Sequence, residues 1–346
     1  MSAARPFRVI QWATGNIGAR SLRTVIEHPQ MELVGLWVSS PEKAGKDAGE
    51  LCGLEPIGIT ATNSAADLIA LDADCVLYMR QGTDFDELAA LLASGKNVVT
   101  TRGDFHFPAA INQARRAQIE EACTAGNSSI YSTGSSPGFI TEAMSLTLLS
   151  LSRRLDCLTI DEYADMTSRN SPDMIFNIMG YGVEPGVFDQ RKVDYIKHDF
   201  GASLSMVADA IGLPLDNIEA IGEMSAARAD KQIAAGTIKA GTVGALRITI
   251  TGMHQGRAVL RFRANWYCTT DIEAEGWDLR ESGWRVRVDG DTPLLVDVTY
   301  PVSEEQYPLF TPGLTAHRAV NAVTTVCEAA PGIRTTADMA QVIARF

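Results

Sequence analysis

The sequence has few of the residue clusters that build metal or disulfide sites. Its six cysteines include no C-x-x-C pair, and its five histidines form no H-x-x-x-H pattern. Because zinc sites need Cys and His at such spacings, we predict no metal site. We interpret the cysteines as small buried apolar residues in a reducing compartment.

Basic residues and long apolar runs are also scarce. Lys and Arg number 30 against 42 Asp and Glu, which gives a formal net charge of −12. Such a charge disfavours a surface for nucleic acid or for anionic membranes. No apolar run reaches the length of a membrane span, and the first residues show no secretory signal pattern. We therefore expect a cytoplasmic protein that binds neither nucleic acid nor membranes.

The length and the order of elements predict two domains. A chain of 346 residues is longer than the chains that usually form a single hydrophobic core. In residues 1–138, strand-like and helix-like segments alternate, which is typical of an α/β fold with a Rossmann-type, doubly wound parallel sheet. Residues 139–312 read as an α+β domain with a mixed or antiparallel sheet. The helical pattern in residues 313–346 predicts a C-terminal segment that returns to the first domain.

The predicted elements follow from periodicity and turn signals. In the first domain we predict strands at 7–12, 32–38, 74–78, 97–100 and 128–131, and helices at 64–71, 84–92 and 109–125 as well as after the first strand. In the second domain and beyond we predict helices at 139–151, 172–179, 203–211 and 315–329, and strands at 157–163, 246–251, 258–267, 284–288 and 294–300.

A glycine turn follows the first predicted strand and precedes a helix. Read as G-x-G-x-x-G, it has Ala13, Gly15 and Gly18 at the glycine positions. Glycines let the backbone approach a pyrophosphate, and a helix N-terminus offers free N–H groups to it. The alternative is a glycine turn that closes an ordinary βα unit without a ligand. We favour the dinucleotide interpretation and predict cofactor contacts from Thr14, Gly15, Asn16, Ile17 and Gly18.

The end of the second predicted strand indicates which cofactor is bound. Rossmann units that bind NAD usually place a carboxylate there for the ribose 2′-hydroxyl. Here Ser39 and Ser40 take that place, followed by Lys43 and Lys46. Hydroxyl and ammonium groups suit a 2′-phosphate. We predict that NADP(H) is preferred and NAD(H) accepted; the alternative is that both lysines are simply exposed to solvent.

Several segments, in order along the chain, resemble the dihydrodipicolinate reductase-like proteins. The likeness is greatest to the branch of 2,4-diaminopentanoate dehydrogenase and the native amine dehydrogenases. The similar segments are Gly15-Asn16-Ile17-Gly18, Ser40-Pro41-Glu42-Lys43, Ser94-Gly95-Lys96-Asn97-Val98-Val99, Gly134-Ser135-Ser136-Pro137-Gly138-Phe139, Gly236-Thr237-Ile238 and His317-Arg318-Ala319-Val320-Asn321.

The resemblance implies a homodimeric two-domain oxidoreductase that interconverts an amine with a carbonyl compound and ammonia, using NAD(P). It implies that the nicotinamide lies near Thr14, Arg80 and the turn Gly134, Ser135, Ser136 and Pro137. It also implies a substrate pocket walled by second-domain segments. Our candidates for substrate contacts are Tyr163, Met166, Phe176, Asn177, Tyr181 and, from the returning helix, His317. For Phe176 and Tyr181 the alternative is core packing.

The candidate catalytic residues follow the strand at 97–100. Around residues 100–108 the amine dehydrogenases carry paired glutamates where this chain has Gly103 and Asp104. We predict that Asp104 orients an amine or iminium group and moves its proton; the alternative is a turn or N-cap aspartate. His106 is a second acid/base candidate, because the ordinary histidine pKa lies near neutrality.

The leading hypothesis is an NAD(P)H-dependent amine dehydrogenase that acts on a small carbonyl or amine substrate. The change from paired glutamates to Gly103 and Asp104 leaves two alternatives. One is a carbonyl or imine reductase that does not use ammonia. The other is a nucleotide-binding protein without turnover. The double-histidine and lysine motif of true dihydrodipicolinate reductases has no counterpart in residues 163–182, so we do not expect a role in lysine biosynthesis.

Overall fold

The computed structural model describes residues 5–303 and 306–345, which form two compact units. One unit consists of the chain up to Phe139 together with the chain from Thr311 onward, and the other runs from Ile140 to Phe310. No helix in the described residues is long and apolar enough to cross a membrane.

The N-terminal part of the first unit alternates strands and helices. Its elements are β1 (Phe7–Trp12), α1 (Asn16–Glu27), β2 (Met31–Trp37), α2 (Ala65–Ala70), β3 (Cys75–Tyr78), α3 (Phe85–Ala93), β4 (Asn97–Thr100), α4 (Gln113–Gly126) and β5 (Ser129–Ser132). Ser64 and Asp84 cap α2 and α3 by accepting backbone N–H groups.

The second unit is built around a mixed sheet. Its helical segments are residues Ser135–Met144, which begin in the first unit, α5 (Ser145–Leu149), Asp173–Met179 and α6 (Gln190–Ala210). Its strands are β6 (Leu155–Asp165), β7 (Asn217–Ala226), β8 (Lys231–Ile233), β9 (Gly236–Ile238), β10 (Val243–His254), β11 (Arg257–Tyr267), β12 (Gly283–Gly290) and β13 (Leu294–Thr299). The six-stranded order is β13-β12-β6-β11-β10-β7, with β6 and β11 parallel and the other pairs antiparallel.

The end of the chain completes the first unit. After α7 (Tyr307–Cys327) comes β14 (Gly332–Arg334), which pairs in parallel with β5. The apolar residues Ala319, Val320, Val323 and Val326 of α7 are fully buried in the same core cluster as Val9. The predicted parallel sheet and the returning helix are thus confirmed.

The strand order of the first sheet determines where a ligand binds. All pairs are parallel, in the order β14-β5-β4-β3-β1-β2. Because β1 lies between β2 and β3, the order reverses beside β1. In open parallel sheets the binding crevice forms at the carboxyl ends of the strands at such a point. The loops after β1 and β3 therefore border the candidate site.

Three predicted helices begin at other residues than predicted; one of them, α7, begins at Tyr307 rather than 315. α4 begins at Gln113 rather than 109, because the Asn112 side chain caps it and residues 108–110 form a separate turn. α6 begins at Gln190 rather than 203, where Asp189 accepts the N–H of Arg191 as the cap. Strand β7, at the sheet edge, was missed; its alternation of exposed and partly buried residues contains glutamates and a glycine, which favour strands weakly.

We expect a substitution in the core between α6 and the six-stranded sheet to have a large effect on stability. Phe200 and Phe262 stack with ring centroids 3.8 Å apart, and Phe262 is fully buried. We expect Phe262→Ala to lower the free energy of unfolding by about 3–5 kcal/mol, since it removes a packed ring and leaves a cavity. The control is Ile221→Ala on edge strand β7, where 56% of the residue is exposed; its effect should stay within about 0.5 kcal/mol. Equal effects in urea unfolding would contradict this account of the core.

Candidate cofactor and active site

The turn after β1 is shaped by a close approach of backbone to backbone. A Cβ on Gly18 would lie 2.3 Å from the carbonyl oxygen of Ala13, so only glycine fits there. Ala13 itself has a φ of +76°, a conformation that costs about 1–2 kcal/mol for a residue with a Cβ. The Gln11 side-chain amide donates to that same carbonyl at 3.0 Å and accepts from the Ser21 hydroxyl at 2.7 Å. Buried hydrogen bonds therefore hold the strained turn.

The N-terminus of α1 is left open by this turn. Gly15 is the N-cap residue, and in the described chain no side chain caps the helix and no acidic residue lies in its first turn. A Cβ on Gly15 would meet no heavy atom of the described chain within 4 Å beyond its own neighbours. Free N–H groups, a positive helix end and open space together fit a pyrophosphate. Asn16 is exposed beside it, whereas Ile17 packs against the core.

A second turn, after β5, presents unsatisfied hydroxyl groups. The Oγ atoms of Thr133 and Ser136 are buried without a hydrogen-bond partner among residues 5–303 and 306–345. The Ser135 hydroxyl pairs with Thr315 of α7 at 2.7 Å, and a Cβ on Gly134 would lie 3.2 Å from Thr315. Buried polar atoms normally have partners. Two free hydroxyl groups in one turn are therefore suited to bind a polar ligand, and the predicted cofactor is such a ligand.

The segment after β2 differs from the arrangement expected for a 2′-phosphate site. The Lys43 ammonium group donates to the carbonyl and to the hydroxyl oxygen of Thr14, at 2.9 and 3.0 Å. The Ser40 hydroxyl donates to the Glu42 carboxylate, while Ser39 is exposed. That hydrogen bond lowers the pKa of Glu42. The Glu42 carboxylate thus lies beside this site, and it was not part of the predicted 2′-phosphate site.

A row of aromatic side chains lies under the carboxyl ends of the strands. Trp37, Trp12 and Tyr78 end β2, β1 and β3; the indoles stack at 5.2 Å and 8°, and Tyr78 follows at 6.3 Å from Trp12. The Arg80 guanidinium lies 5.4 Å from the Trp37 ring centroid and 2.8 Å from the Glu87 carboxylate. Glu87 also accepts the Tyr78 hydroxyl, and burial together with this carboxylate raises the pKa of Tyr78.

The Asp104 loop is fixed from several directions. It begins where the Thr100 hydroxyl accepts the N–H of Arg102 at 3.1 Å, and the Ser132 hydroxyl donates to the Arg102 carbonyl. Asp104 lies in a single helical turn, Gly103–Phe105, and its partly buried carboxylate accepts the Thr83 hydroxyl. The Asp104 carboxylate is thus brought to the loop that follows β3. His106 exposes only 3% of its surface.

The predicted substrate residues are not brought together as one set. Tyr163 is buried with Tyr267 and Trp277, and the Arg280 guanidinium lies 5.2 Å from its ring centroid. Tyr181 is fully buried in another cluster, against which Met166 and Phe176 pack.

Two further candidates are exposed. Asn177 donates to Asp173 at 2.8 Å. His317 lies on α7 in the first unit, where partial desolvation and, secondly, the Arg20 charge lower its pKa. No group of three or more His, Cys, Asp or Glu that could hold a metal ion is found in the part of the chain that the structure describes.

Comparisons with known proteins agree with this geometry. Residues 180–345 match the family model for the 2,4-diaminopentanoate dehydrogenase C-terminal domain, and residues 9–128 match that for the dihydrodipicolinate reductase N-terminus. An amine dehydrogenase from Streptomyces virginiae is 25% identical over 95% of each chain. A 4-hydroxy-tetrahydrodipicolinate reductase from Nostoc sp. is 39% identical over 105 residues, 28% of this chain and 38% of that one.

Among solved structures, the amine dehydrogenase from Mycobacterium smegmatis has the same fold. It superposes with a TM-score of 0.75 at 18% identity, covering 98% of this chain and 97% of that one. The fold, the open glycine turn and these matches define the chain as an NAD(P)-dependent oxidoreductase. More particularly, its N-terminal part is similar to dihydrodipicolinate reductase and its C-terminal part to 2,4-diaminopentanoate dehydrogenase, and it resembles an amine dehydrogenase over nearly its whole length.

Gly15 and Gly18 should respond differently to alanine substitution. Gly18→Ala forces a Cβ into the Ala13 carbonyl and should lower the melting temperature. Gly15→Ala places a methyl group in open space at a φ of −67°, so the fold should keep its melting temperature. That methyl would stand where the pyrophosphate approaches, and we expect cofactor affinity to fall about tenfold or more. Calorimetric titration and thermal unfolding separate the two effects; unchanged affinity in Gly15→Ala would contradict the site.

Proposed function

We propose that the protein catalyses the NAD(P)-linked interconversion of a small amine with a carbonyl compound and ammonia. The observation that carries the proposal is the Asp104 carboxylate, fixed by Thr83 at the carboxyl edge of the cofactor-binding sheet. The amine dehydrogenases from Streptomyces virginiae and Mycobacterium smegmatis support the assignment by their names and by their nearly full-length likeness.

The residues of this chain divide the work by their chemistry. When bound, the reduced nicotinamide supplies the hydride. Gly15 and the α1 N-terminus hold the pyrophosphate, and the free hydroxyl groups of Thr133 and Ser136 bind polar atoms of the cofactor. The negative charge of Asp104 stabilises a positively charged iminium group of the substrate and takes or returns its proton.

A second function is favoured by one observation in the same loop. The family resemblance implies paired glutamates at the positions of Gly103 and Asp104, so the loop of this chain offers a shorter carboxylate than the family pattern. This favours reduction of a carbonyl or preformed imine without ammonia. Oxidation of NADPH in the presence of a ketone panel, with and without ammonia, separates the two functions. A turnover rate that is the same with and without ammonia excludes the amine dehydrogenase function, whereas ammonia-dependent turnover excludes the simple reductase function.

Asp104→Asn should lower turnover about a hundredfold or more while leaving NADPH affinity nearly unchanged. The substitution keeps the shape of the side chain but removes its charge and its ability to accept a proton. Asp104→Glu should keep or raise ammonia-dependent activity, because it restores the longer side chain of the relatives. The control is His106→Ala. Full turnover in Asp104→Asn together with loss in His106→Ala would assign the acid/base role to His106.

We propose further that NADP(H) is preferred and NAD(H) accepted. Ser39 is exposed, and Lys43 brings a positive charge to the glycine turn. Ser39→Asp or Ser40→Asp should lower the ratio of kcat/KM for NADPH to kcat/KM for NADH. The ratio should fall about tenfold for each 1.4 kcal/mol of repulsion between the new carboxylate and the 2′-phosphate. Glu42→Gln removes a nearby carboxylate and should shift the ratio toward NADPH. The control is Glu32→Gln at the other end of β2; unchanged ratios in all three site variants would refute the placement.

For the remaining partners, we propose a homodimer in the cytoplasm. The family resemblance supports the dimer, and the absence of clustered cysteines in the sequence supports a reducing compartment. Analytical ultracentrifugation of the purified protein tests the first point and cell fractionation the second.

A further inference from the structure

A groove of about 630 Å³ lies within the second unit, and its lining includes none of the residues assigned to cofactor or proton transfer. Strands β10 and β11 supply its floor through Leu246, Ile248 and Trp266. The short helix Asp173–Met179 and the first turns of α6 supply its walls. Its volume is within the range of small-molecule sites, which are about 300–1,000 Å³. Of the residues proposed above for substrate contact, Met166 lines it.

The lining is apolar and adaptable. Met166, Met174 and Met179 face the groove together with Phe188. Methionine side chains have three rotatable bonds and a polarisable sulfur, so they fit flexible apolar chains of varied shape. Tyr195 lines the groove as well and is 64% exposed. These side chains favour an unbranched apolar chain over a rigid polar molecule.

The charged residues of the lining give it a positive balance. They are Arg169, Arg191 and Lys192 against the single carboxylate of Asp189, whereas the whole chain carries −12. Asp189 accepts two N–H groups of the Arg191 guanidinium, at 3.1 and 2.9 Å, so this pair is internally neutralised. Lys192 donates to the Met179 carbonyl at 3.0 Å. The exposed Arg169 guanidinium has no hydrogen bond to any described residue.

We propose that this groove binds a small amphiphile with an unbranched apolar chain and a terminal carboxylate, which pairs with Arg169. The apolar floor takes the chain, and a guanidinium recognises a carboxylate through two parallel N–H···O bonds. The inference goes beyond the proposed reaction, because it assigns a ligand site that needs neither the cofactor nor Asp104.

Octanoate is the probe, and octan-1-ol is the matched uncharged molecule. Both are titrated into the full chain while tryptophan fluorescence is recorded, and Trp266→Phe shows whether the signal comes from the groove. We expect Arg169→Gln to weaken octanoate binding about tenfold or more, as loss of one charged contact implies. Octan-1-ol binding should change less than twofold. The control is Arg257→Gln, which removes a 71% exposed side-chain charge outside the groove and should leave both affinities unchanged.

Three results would overturn the proposal. One is that the wild-type chain does not bind octanoate. Another is that Arg169→Gln binds octanoate as tightly as the wild type does, or that the substitution weakens the binding of octan-1-ol as much as that of octanoate. The third is that Tyr195→Asp converts a dimer to a monomer in sedimentation while octanoate does not compete with dimer formation. The groove would then be an interface between two copies of the chain. Because binding is measured without turnover, failure of the proposed reaction does not affect these results.

Discussion

The missing Cβ of Gly18 is the constraint on which the cofactor region depends. It lets α1 settle against the Ala13 carbonyl, and a methyl group there would overlap that oxygen. The helix axis, and with it the direction of the free N–H groups at Gly15, follows from this contact. Gln11 and Ser21 stabilise the strained Ala13 conformation through buried hydrogen bonds. The binding geometry is thus established by packing inside the unit before any ligand arrives.

The loops around this turn are held in a similar way, by side chains from a strand, a loop and a helix next to them. Thr100 bonds to the Tyr78 carbonyl at 2.9 Å, and Thr83 holds Asp104. Glu87 fixes Arg80, which covers the Trp37 ring. Loops alone are mobile, but these are supported by buried strand ends that lie in register, Trp12 beside Trp37 and Tyr78. The scaffold therefore leaves little entropy to be lost when the site binds a ligand.

The sequence predicted the parts of the fold that depend on local patterns. Gly15 and Gly18 indicated the turn, and period-two alternation indicated β10 to β13, because strand pairing buries alternate residues. Contacts between distant residues left no such pattern. Nothing local shows that Lys43 reaches Thr14, that Glu42 takes the Ser40 hydroxyl, or that Thr83 meets Asp104. The groove in the second unit was missed for the same reason, since its walls end at Ile196 in sequence and its floor begins only at Leu246.

The connectivity of the first unit has a consequence for synthesis on the ribosome. Its sheet begins with β1, yet its edge strand β14 and the buried face of α7 come from the other end of the chain. The whole second unit emerges before them. Until then, the surface that later packs against Val320, Val323 and Val326 is exposed apolar area, of the kind that chaperones recognise and that promotes aggregation. A nascent chain stalled before residue 311 would carry a complete second unit and an unfinished nucleotide-binding one.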